Sequence, residues 1–519
     1  MAFSRVVAVV LGVLLGAIPS WGMDYHVGPE TAYTTIGAVP WFRLAPGDTV
    51  FIHYKPTPYY EKFLISTRGT PEKWIRVVGV PGPGGQLPVI SGSHATTSRN
   101  MHYHWPAASG SSSIQNLGVV QVAAGAGENA PLPGYIEIAS LQIQDGFSSS
   151  EFTAEDGSRA RFDPFAACIY ARSVQHLIVR DNVLTGCGQG FYNWTGSGEK
   201  WWDGLQVGTV IRGNYFHGNG APGSYLEHQS YTESRGVIYE YNRFGAMRDG
   251  ARGSQLKDRS SGTIIRYNYI EGSPSGWMLD LVEPENGYAA LGSTPAYRHT
   301  FVYGNVLTSA GAAVAPNMVH WNEDHQTGVG RAVEEKNALF FYHNTVLVLA
   351  DRSRFREFHI FNTTWGGYDC PPEAPRGLVD IRNNIFAALA ATPGAAPPTI
   401  KFAYCNHTNL AFEANWVSPG WISGSSGLVT GTTHLVSPRD NSPGFMSATD
   451  LRLRRGSSAV GIGSSLSPDV MTNSMGESLV PSQQYVPHQH VMARARSGTG
   501  SDAGAFELAR PQPGVPLGR

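Results

Sequence analysis

The stretch Gly262–Ile270 reads GTIIRYNYI: a short apolar run, an asparagine and a second apolar pair. Alone, such a run predicts only a short β-strand that ends in a turn. Asn268 suits the turn, because asparagine tolerates left-handed backbone and its amide can bond to nearby main-chain groups. The stretch decides the fold because its pattern recurs along the middle of the chain.

Eight copies of the pattern are present, and consecutive copies are 26 to 40 residues apart by subtraction of their positions. Their asparagines are Asn182, Asn214, Asn242, Asn268, Asn305, Asn344, Asn384 and Asn415. Such a repeat of short β-type runs predicts a solenoid, because each unit can bury its apolar face only against its neighbours. Identical asparagines in successive coils can form a ladder. The alternative is a sandwich of eight unrelated strands, each with an ordinary asparagine turn.

Composition agrees with a turn-rich β-protein that has a large core: 61 of the 519 residues are glycine, 34 are proline and only 15% are charged. The formal net charge is −2 and no polybasic block is present, so nothing supports a nucleic-acid or anionic-membrane partner. Four cysteines, Cys168, Cys187, Cys370 and Cys405, fit an oxidising compartment. The pairs Cys168–Cys187 and Cys370–Cys405 would each join adjacent coils; other pairings and free thiols stay open.

The N-terminus has the pattern of a secretory signal: Arg5, then the apolar run Val6–Ile18, then a small-residue region ending near Gly22. We predict a signal peptide over residues 1–22, and no other segment is long enough to span a membrane. The expectation is an exported, secreted or periplasmic monomer. The Pro/Gly-rich residues 509–519 are predicted to form a disordered tail.

Both ends of the remaining chain resemble secreted right-handed parallel β-helix proteins of the pectate-lyase-like superfamily. The matching segments are PGDTV at Pro46–Val50, YYEKFLIS at Tyr59–Ser66, GTPEKWIRVVG at Gly69–Gly79, PVISGS at Pro88–Ser93 and GSDAGAFE at Gly500–Glu507. The resemblance implies an all-β fold: one right-handed parallel β-helix over residues 23–508 with long loops on one face. It also implies an N-terminal capping helix, which we place at Thr35–Leu44.

Strand alternation predicts one column of titratable side chains on the outer face. If the leucine or valine next to each is core, then Glu227, Lys257, Asp280 and His320 point outward on successive coils. The alternative is that each is an ordinary solvated strand residue. Charge is densest around Lys257, where positive neighbours favour the neutral amine that a general base needs. The charged neighbours are Arg248, Asp249, Arg252, Asp258 and Arg259.

Lys257, in LKDRSSGTIIRYN, resembles the catalytic lysine of polysaccharide lyase family six, the alginate lyase and chondroitinase B group. The resemblance implies β-elimination of an acidic, uronate-containing polysaccharide. Where that family has a catalytic arginine one coil further, this chain has Leu279-Asp280-Leu281, so either the acid role falls to another residue, such as Arg259 or His320, or the reaction differs. Ca²⁺ is the cofactor that the resemblance suggests, although its carboxylate ligands have no clear counterpart before Lys257.

Two other classes stay open. A glycoside hydrolase would use paired carboxylates, Asp249 with Asp280 or Asp280 with Glu283. A non-catalytic β-helix would only bind glycan. All three classes can use the same candidate substrate-binding residues. These are Glu227, His228, Arg248, Asp249, Arg252, the aromatic Trp201 and Trp202 of a Gly-rich loop, and Arg354.

Overall fold

The structure is a computed structural model, and the residues it describes form one elongated stack of coils. The described residues are 22–99, 101, 114–125, 131–196, 203–272, 276–309, 317–322, 336–363, 377–404, 408–438, 442–471, 478–495 and 500–508. Trp201, Trp202, Cys370, Cys405, residues 509–519 and most of the predicted signal peptide lie outside these ranges, so the predictions made for them stay predictions.

Three long sheets run along the stack, and a typical coil contributes one strand to each sheet in turn. The strands of successive coils pair in parallel. Among the described residues, one antiparallel pair, Glu151–Thr153 with Arg159–Arg161, lies at an end of the third sheet. This topology confirms the predicted parallel β-helix and excludes the sandwich, whose sheets would be antiparallel.

The strands of the first sheet are Asp24–Val27, Thr49–His53, Ile75–Val80, Gly134–Ala139, Gln175–Arg180, Val207–Arg212, Arg235–Glu240, Ser261–Arg266, His299–Tyr303, Ala338–Tyr342, Leu378–Arg382, Asn409–Glu413 and Val429–Thr430. Those of the second sheet are Val89–Ser91, Gln142–Gln144, Val183–Thr185, Tyr215–His217, Arg243–Phe244, Tyr269–Glu271, Val306–Thr308, Thr345–Leu349, Ile385–Leu389 and Trp416–Val417.

Besides the antiparallel pair, the third sheet contains Glu61–Ile65, Ala95–Thr97, Gly118–Val122, Ala167–Arg172, Gln189–Trp194, Ser230–Thr232, Leu256–Asp258, Trp277–Val282, Asn317–Asn322, Glu357–Asn362 and Thr399–Tyr404. A C-terminal hairpin pairs Gln483–Val486 with His490–Ala493. The described helices are short: α-helices at Tyr288–Gly292 and Pro468–Met471, and 3₁₀ helices at Ile36–Ala38, Trp41–Arg43, Ile114–Leu117, Pro295–Arg298 and Thr432–His434.

The eight repeated asparagines form the predicted ladder at the turn between the first and second sheets. All eight are fully buried, and each side-chain amide of the first seven donates to Oδ1 of the next asparagine at 2.9–3.1 Å. Left-handed backbone, however, belongs to the residue before each asparagine, such as Tyr267 with φ of 56° before Asn268. The asparagine is therefore selected for its amide bonds between coils, and not for tolerance of positive φ.

The predicted capping helix at Thr35–Leu44 takes the form of two 3₁₀ turns, Ile36–Ala38 and Trp41–Arg43. Pro40 lies between them, and proline lacks an N–H and disfavours helical backbone at the residue before it. Trp41 closes the end of the core, because its ring stacks on Phe63 with centroids 4.4 Å apart.

The disulfide Cys168–Cys187 is present and joins two consecutive coils, as predicted. Two segments whose composition is typical of loops contain strands of the third sheet. Gly118–Val122 lies within the Ser/Gly/Ala-rich Thr96–Ala130, and Gln189–Trp194 lies within the Gly-rich segment after Gly188. Their small and aromatic residues hide the strand pattern, which only pairing with neighbouring coils reveals.

Candidate functional site

The outer face of the third sheet carries four polar side chains on successive coils, which we call the site column. Parallel pairing places Tyr231 opposite Lys257, Lys257 opposite Asp280 and Asp280 opposite His320. The flanking residues Leu256, Leu279 and Val319 are fully buried in the core, so the column residues point outward. Three of the four residues predicted for this column are therefore in register.

The fourth predicted residue, Glu227, is not in the column. Its neighbour Leu226, predicted to be core, is 59% exposed, and the coil's strand begins only at Ser230. Tyr231 occupies the register position instead. The sequence offered one signal for this position, since Tyr231 precedes Asn242 by the same number of residues as Lys257 precedes Asn268.

Lys257, Asp280 and His320 form a bonded chain along the column. Lys257 Nζ lies 2.9 Å from Asp280 Oδ2, and His320 Nδ1 donates to Asp280 Oδ1 at 2.8 Å. Ser254 Oγ donates a further bond to Asp280 at 3.2 Å, and the ring of Trp277 stacks on His320 at 4.9 Å. Because both carboxylate oxygens accept bonds, Asp280 fixes the side chains on either side of it.

Asp280 is held as a carboxylate. Burial alone would raise its pKa, but Lys257, His320 and His228 lower it, and the net result is a pKa well below the ordinary value. The side chains of Lys257, Asp280 and His320 are only 10%, 5% and 5% exposed, so this electrostatic coupling is weakly screened. Asp280 is an acceptor and a counter-ion here, and it has no proton to donate at neutral pH.

The other end of the column is a cluster of Tyr231, Arg259 and Glu285. Arg259 Nε donates to the Tyr231 hydroxyl at 2.8 Å, and that hydroxyl donates to Glu285 Oε2 at 3.0 Å. Arg259 also lies 3.6 Å from Glu285 Oε2 and donates to the Glu283 carbonyl at 2.7 Å. Glu285 is 46% exposed, so solvent reaches the column at this side.

Glu233 fixes the segment that carries Glu285. Its buried Oε1 accepts bonds from three consecutive backbone N–H groups, those of Glu285, Asn286 and Gly287, at 2.8–2.9 Å. Burial raises the pKa of Glu233, and the three N–H groups and Arg259 oppose that rise. Sequence inspection missed Glu233, because nothing local to residue 233 indicates that a segment 52 residues later folds onto it.

The tyrosines of preceding coils continue the column beyond Tyr231. Tyr192 lies opposite Tyr231 with ring centroids 5.0 Å apart, and Tyr170 stacks on Tyr192 at 5.5 Å. Burial raises the pKa of both Tyr192 and Tyr231 well above the ordinary value. The side chains of Tyr170, Tyr192 and Tyr231 thus form a row of aromatic rings on the third sheet that ends next to Lys257.

The predicted positive neighbourhood of Lys257 is only partly present. Arg252 is exposed and lies over the ring of Tyr225 at 3.8 Å, and Arg259 is committed to Tyr231 and the Glu283 carbonyl. The Lys257 amine pairs with the Asp280 carboxylate at 2.9 Å. The prediction that arginines flank this lysine is therefore supported only in part, because Arg252 packs on Tyr225 while Arg259 bonds to Tyr231, which lies opposite Lys257.

The remaining predicted binding residues lie in three places. His228 is buried beside the column, where its Nδ1 accepts a bond from the Ser254 backbone at 2.8 Å. Arg248, over the ring of Phe147 at 4.0 Å, and the exposed Asp249 belong to the turn before the Leu256–Asp258 strand. Arg354 is exposed in the corresponding turn three coils later. Their substrate contacts stay predictions.

No metal site is apparent in the part of the chain that the structure describes, where no three His, Cys, Asp or Glu side chains are grouped to hold an ion. The role suggested for Ca²⁺ stays a prediction. Within the same residues, no helix is long and apolar enough to cross a membrane. The fold and site together define a parallel β-helix protein with a lysine–aspartate–histidine chain on its third sheet.

Comparison with known proteins gives likeness in structure alone. No protein-family model matches the sequence, and no curated protein matches it. The chain is similar to pectate lyase Pel9A, with a TM-score of 0.41, 11% identity and coverage of 94% of this chain and 97% of that one. It is also similar to the PL6 family polysaccharide lyase Pedsa3628 from Pseudopedobacter saltans, with a TM-score of 0.35, 10% identity and coverage of 79% and 95%.

A third similar structure is the GH136 lacto-N-biosidase from Eubacterium ramulus, with a TM-score of 0.36, 11% identity and coverage of 80% of this chain and 68% of that chain. The similar structures thus include both lyases and a glycosidase. At these identities the likeness extends to the fold alone, and activity has to be argued from the site.

Proposed function

We propose that the protein is an exported polysaccharide lyase that cleaves an acidic, uronate-containing polysaccharide by β-elimination, with Lys257 as the general base. One observation carries the proposal: Lys257 lies in register between a phenol–guanidinium pair and a carboxylate–imidazole pair. An amine, a proton donor and an anion-neutralising cation are the groups that β-elimination next to a carboxylate needs.

Each group has a definite part in the reaction. Lys257, after loss of its ammonium proton, removes the proton at C5 of the uronate, and Asp280 orients that amine through the 2.9 Å contact. Arg259, which faces the Glu285 carboxylate in the free protein, neutralises the substrate carboxylate and so stabilises the enolate-like charge that develops. Ca²⁺ would be an additional source of positive charge, and the assay below includes it.

Hydrolysis by the two proposed carboxylate pairs has less support. Asp249 is exposed in a turn and belongs to no strand of the third sheet, so nothing in the strand register places it beside Asp280. In either pair Asp280 could act only as the base or nucleophile, and not as the acid. A general acid needs a raised pKa, whereas the pKa of Asp280 is well below the ordinary value, despite burial, through Lys257, His320 and His228.

The test is incubation with alginate, polygalacturonate, chondroitin and other uronate polymers, with EDTA or added Ca²⁺, while the absorbance of unsaturated ends is followed. New absorbance with at least one polymer is expected. Reducing ends without absorbance would mean hydrolysis, and binding without cleavage would mean a non-catalytic glycan-binding protein. Either result contradicts the proposal.

The assignment of Lys257 is tested with Lys257→Arg, which keeps the charge opposite Asp280 but cannot lose a proton as a base must. Elimination is expected to disappear while the protein stays folded. The matched control is Lys401→Ala, because Lys401 lies on the same sheet and pairs with Glu357 at 3.6 Å. Elimination should persist in that variant.

A further inference from the structure

We propose that Tyr231 is the catalytic acid, which protonates the departing glycosidic oxygen, and that Arg259 positions and polarises its hydroxyl. This inference rests on the proposed function, and it replaces Arg259 and His320 as candidates for the acid. The observation behind it is that Tyr231 lies directly opposite Lys257 and is bonded to Arg259 and Glu285.

Spacing along the column separates the candidates. The base acts on the hydrogen at C5 and the acid on the oxygen at C4, so both groups must reach one sugar ring. Tyr231 is one coil from Lys257, about 4.8 Å in strand spacing, whereas His320 is two coils away, about 9.6 Å. Asp280 lies between Lys257 and His320 and is bonded to both. Of the two candidates Tyr231 and His320, only Tyr231 is a direct neighbour of Lys257.

Access favours the same residue. Tyr231 is half-buried and its hydroxyl points to Glu285, the exposed member of the cluster, whereas the His320 side chain is 5% exposed. The Glu285 carboxylate accepts the phenolic hydrogen at 3.0 Å in the free protein. A glycosidic oxygen that enters from this side would take the place of that carboxylate as the acceptor of the hydrogen.

Arg259 suits a positioning role and not that of the acid. A guanidinium stays protonated throughout the accessible pH range and gives up a proton poorly. Its Nε–H donates to the phenolic oxygen at 2.8 Å, so it stabilises the negative charge that this oxygen gains when the proton leaves. Burial keeps the pKa of Tyr231 well above its ordinary value, so the phenol holds its proton at neutral pH.

The step balances without any further reactant. The Lys257 amine takes the C5 proton, the electron pair of that C–H bond forms the C4=C5 double bond, and the C4–O4 bond breaks. O4 takes the Tyr231 proton and leaves as a hydroxyl group. The site then contains a lysine ammonium and a tyrosine phenolate, and transfer of one proton between them through water restores the starting state.

The experiment compares Tyr231→Phe with wild type on two substrates: the natural polymer and a uronate with fluoride or an aryloxide as leaving group at C4. A good leaving group needs no proton. On the polymer the variant should lose about 10²–10⁴-fold in kcat. On the activated substrate its rate should stay within about threefold of wild type, which also shows that the variant is folded.

Tyr303→Phe is the matched control, because the Tyr303 hydroxyl also accepts a bond from an arginine, Arg266, at 3.2 Å but lies on the first sheet. That variant should keep wild-type rates on both substrates. Equal losses of Tyr231→Phe on both substrates, or no loss on either, would overturn the role of Tyr231 while the lyase proposal stood. A wild-type protein that gives no unsaturated product from any polymer would overturn both.

Discussion

Lys257 and Asp280 lie opposite each other on neighbouring coils of the third sheet, with Nζ and Oδ2 2.9 Å apart although 23 residues separate them in the chain. Both side chains are almost completely buried. In such an environment an ion pair gives modest net stability, but removal of one partner leaves a buried charge without compensation. The pair therefore links the candidate chemistry of the site to the stability of the fold.

Asp280→Asn should lower the free energy of unfolding at pH 7 by about 3–5 kcal/mol. The folded-state pKa of Asp280 is below its unfolded value, so its contribution is fully present above about pH 4 and is lost as the pH falls through the folded-state pKa. Urea denaturation at several pH values should therefore show that the difference in free energy of unfolding between variant and wild type becomes smaller in acid.

The control for that experiment is Asp249→Asn, because Asp249 is exposed in the turn before the Lys257 strand. Its stability should stay within about 0.5 kcal/mol of wild type at every pH. If the loss of unfolding free energy in Asp280→Asn became larger in acid, the ion pair would not be the source of the effect.

Glu285→Ala should lower KM for an acidic polymer by up to about fivefold at low salt, because Glu285 competes with the substrate carboxylate for Arg259 and its pairing is exposed and weak. Initial rates over a range of polymer concentrations measure the change. Glu357→Ala is the matched control, since Glu357 is 45% exposed on the same sheet and pairs with Lys401. A raised KM for Glu285→Ala alone would show that Glu285 helps binding.

Asn268→Ala should lower the free energy of unfolding by about 2–4 kcal/mol, because it leaves buried partners on both adjacent coils without bonds. The lost bonds include those to the Asn242 backbone N–H, to Asn305 Oδ1 and to the Tyr239 carbonyl. Asn268→Asp should cost more, since a carboxylate would face two of these oxygens. Thermal or urea unfolding measures both variants. A smaller loss of unfolding free energy for Asn268→Asp than for Asn268→Ala would contradict the ladder bonds as the source of the stability.

The double variant Cys168→Ala/Cys187→Ala should lose about 3 kcal/mol of stability, because a crosslink between residues 19 apart restricts the unfolded chain. Urea denaturation of the variant and wild type without reductant measures the loss. The double variant avoids any effect of reductant on Cys370 and Cys405. Elimination rates below the unfolding transition should be unchanged, since neither cysteine belongs to the site column.

Prediction from sequence succeeded for the asparagine ladder, because the same residue type has the same local environment in successive coils. Each ladder asparagine ends an apolar run and bonds to its counterpart one coil away, so both the repeat and the ladder can be read along the chain. It failed at Glu227, where the strand begins three residues later than the local pattern suggests. The turn before the strand, and not its own residues, sets which side chain faces outward.

The repeated apolar pattern predicted a chain that stacks on itself, because only neighbouring coils can bury such a pattern, and the resemblance at both ends predicted that the stack is a parallel β-helix. The sequence also marked Lys257, Asp280 and His320 as residues of successive coils. Only the tertiary structure decided that Tyr231 precedes them in register and that Glu233 fixes the segment carrying Glu285 beside it. The physical reason is that turn lengths set the register between coils, and contacts across 52 residues leave no periodic trace in the chain.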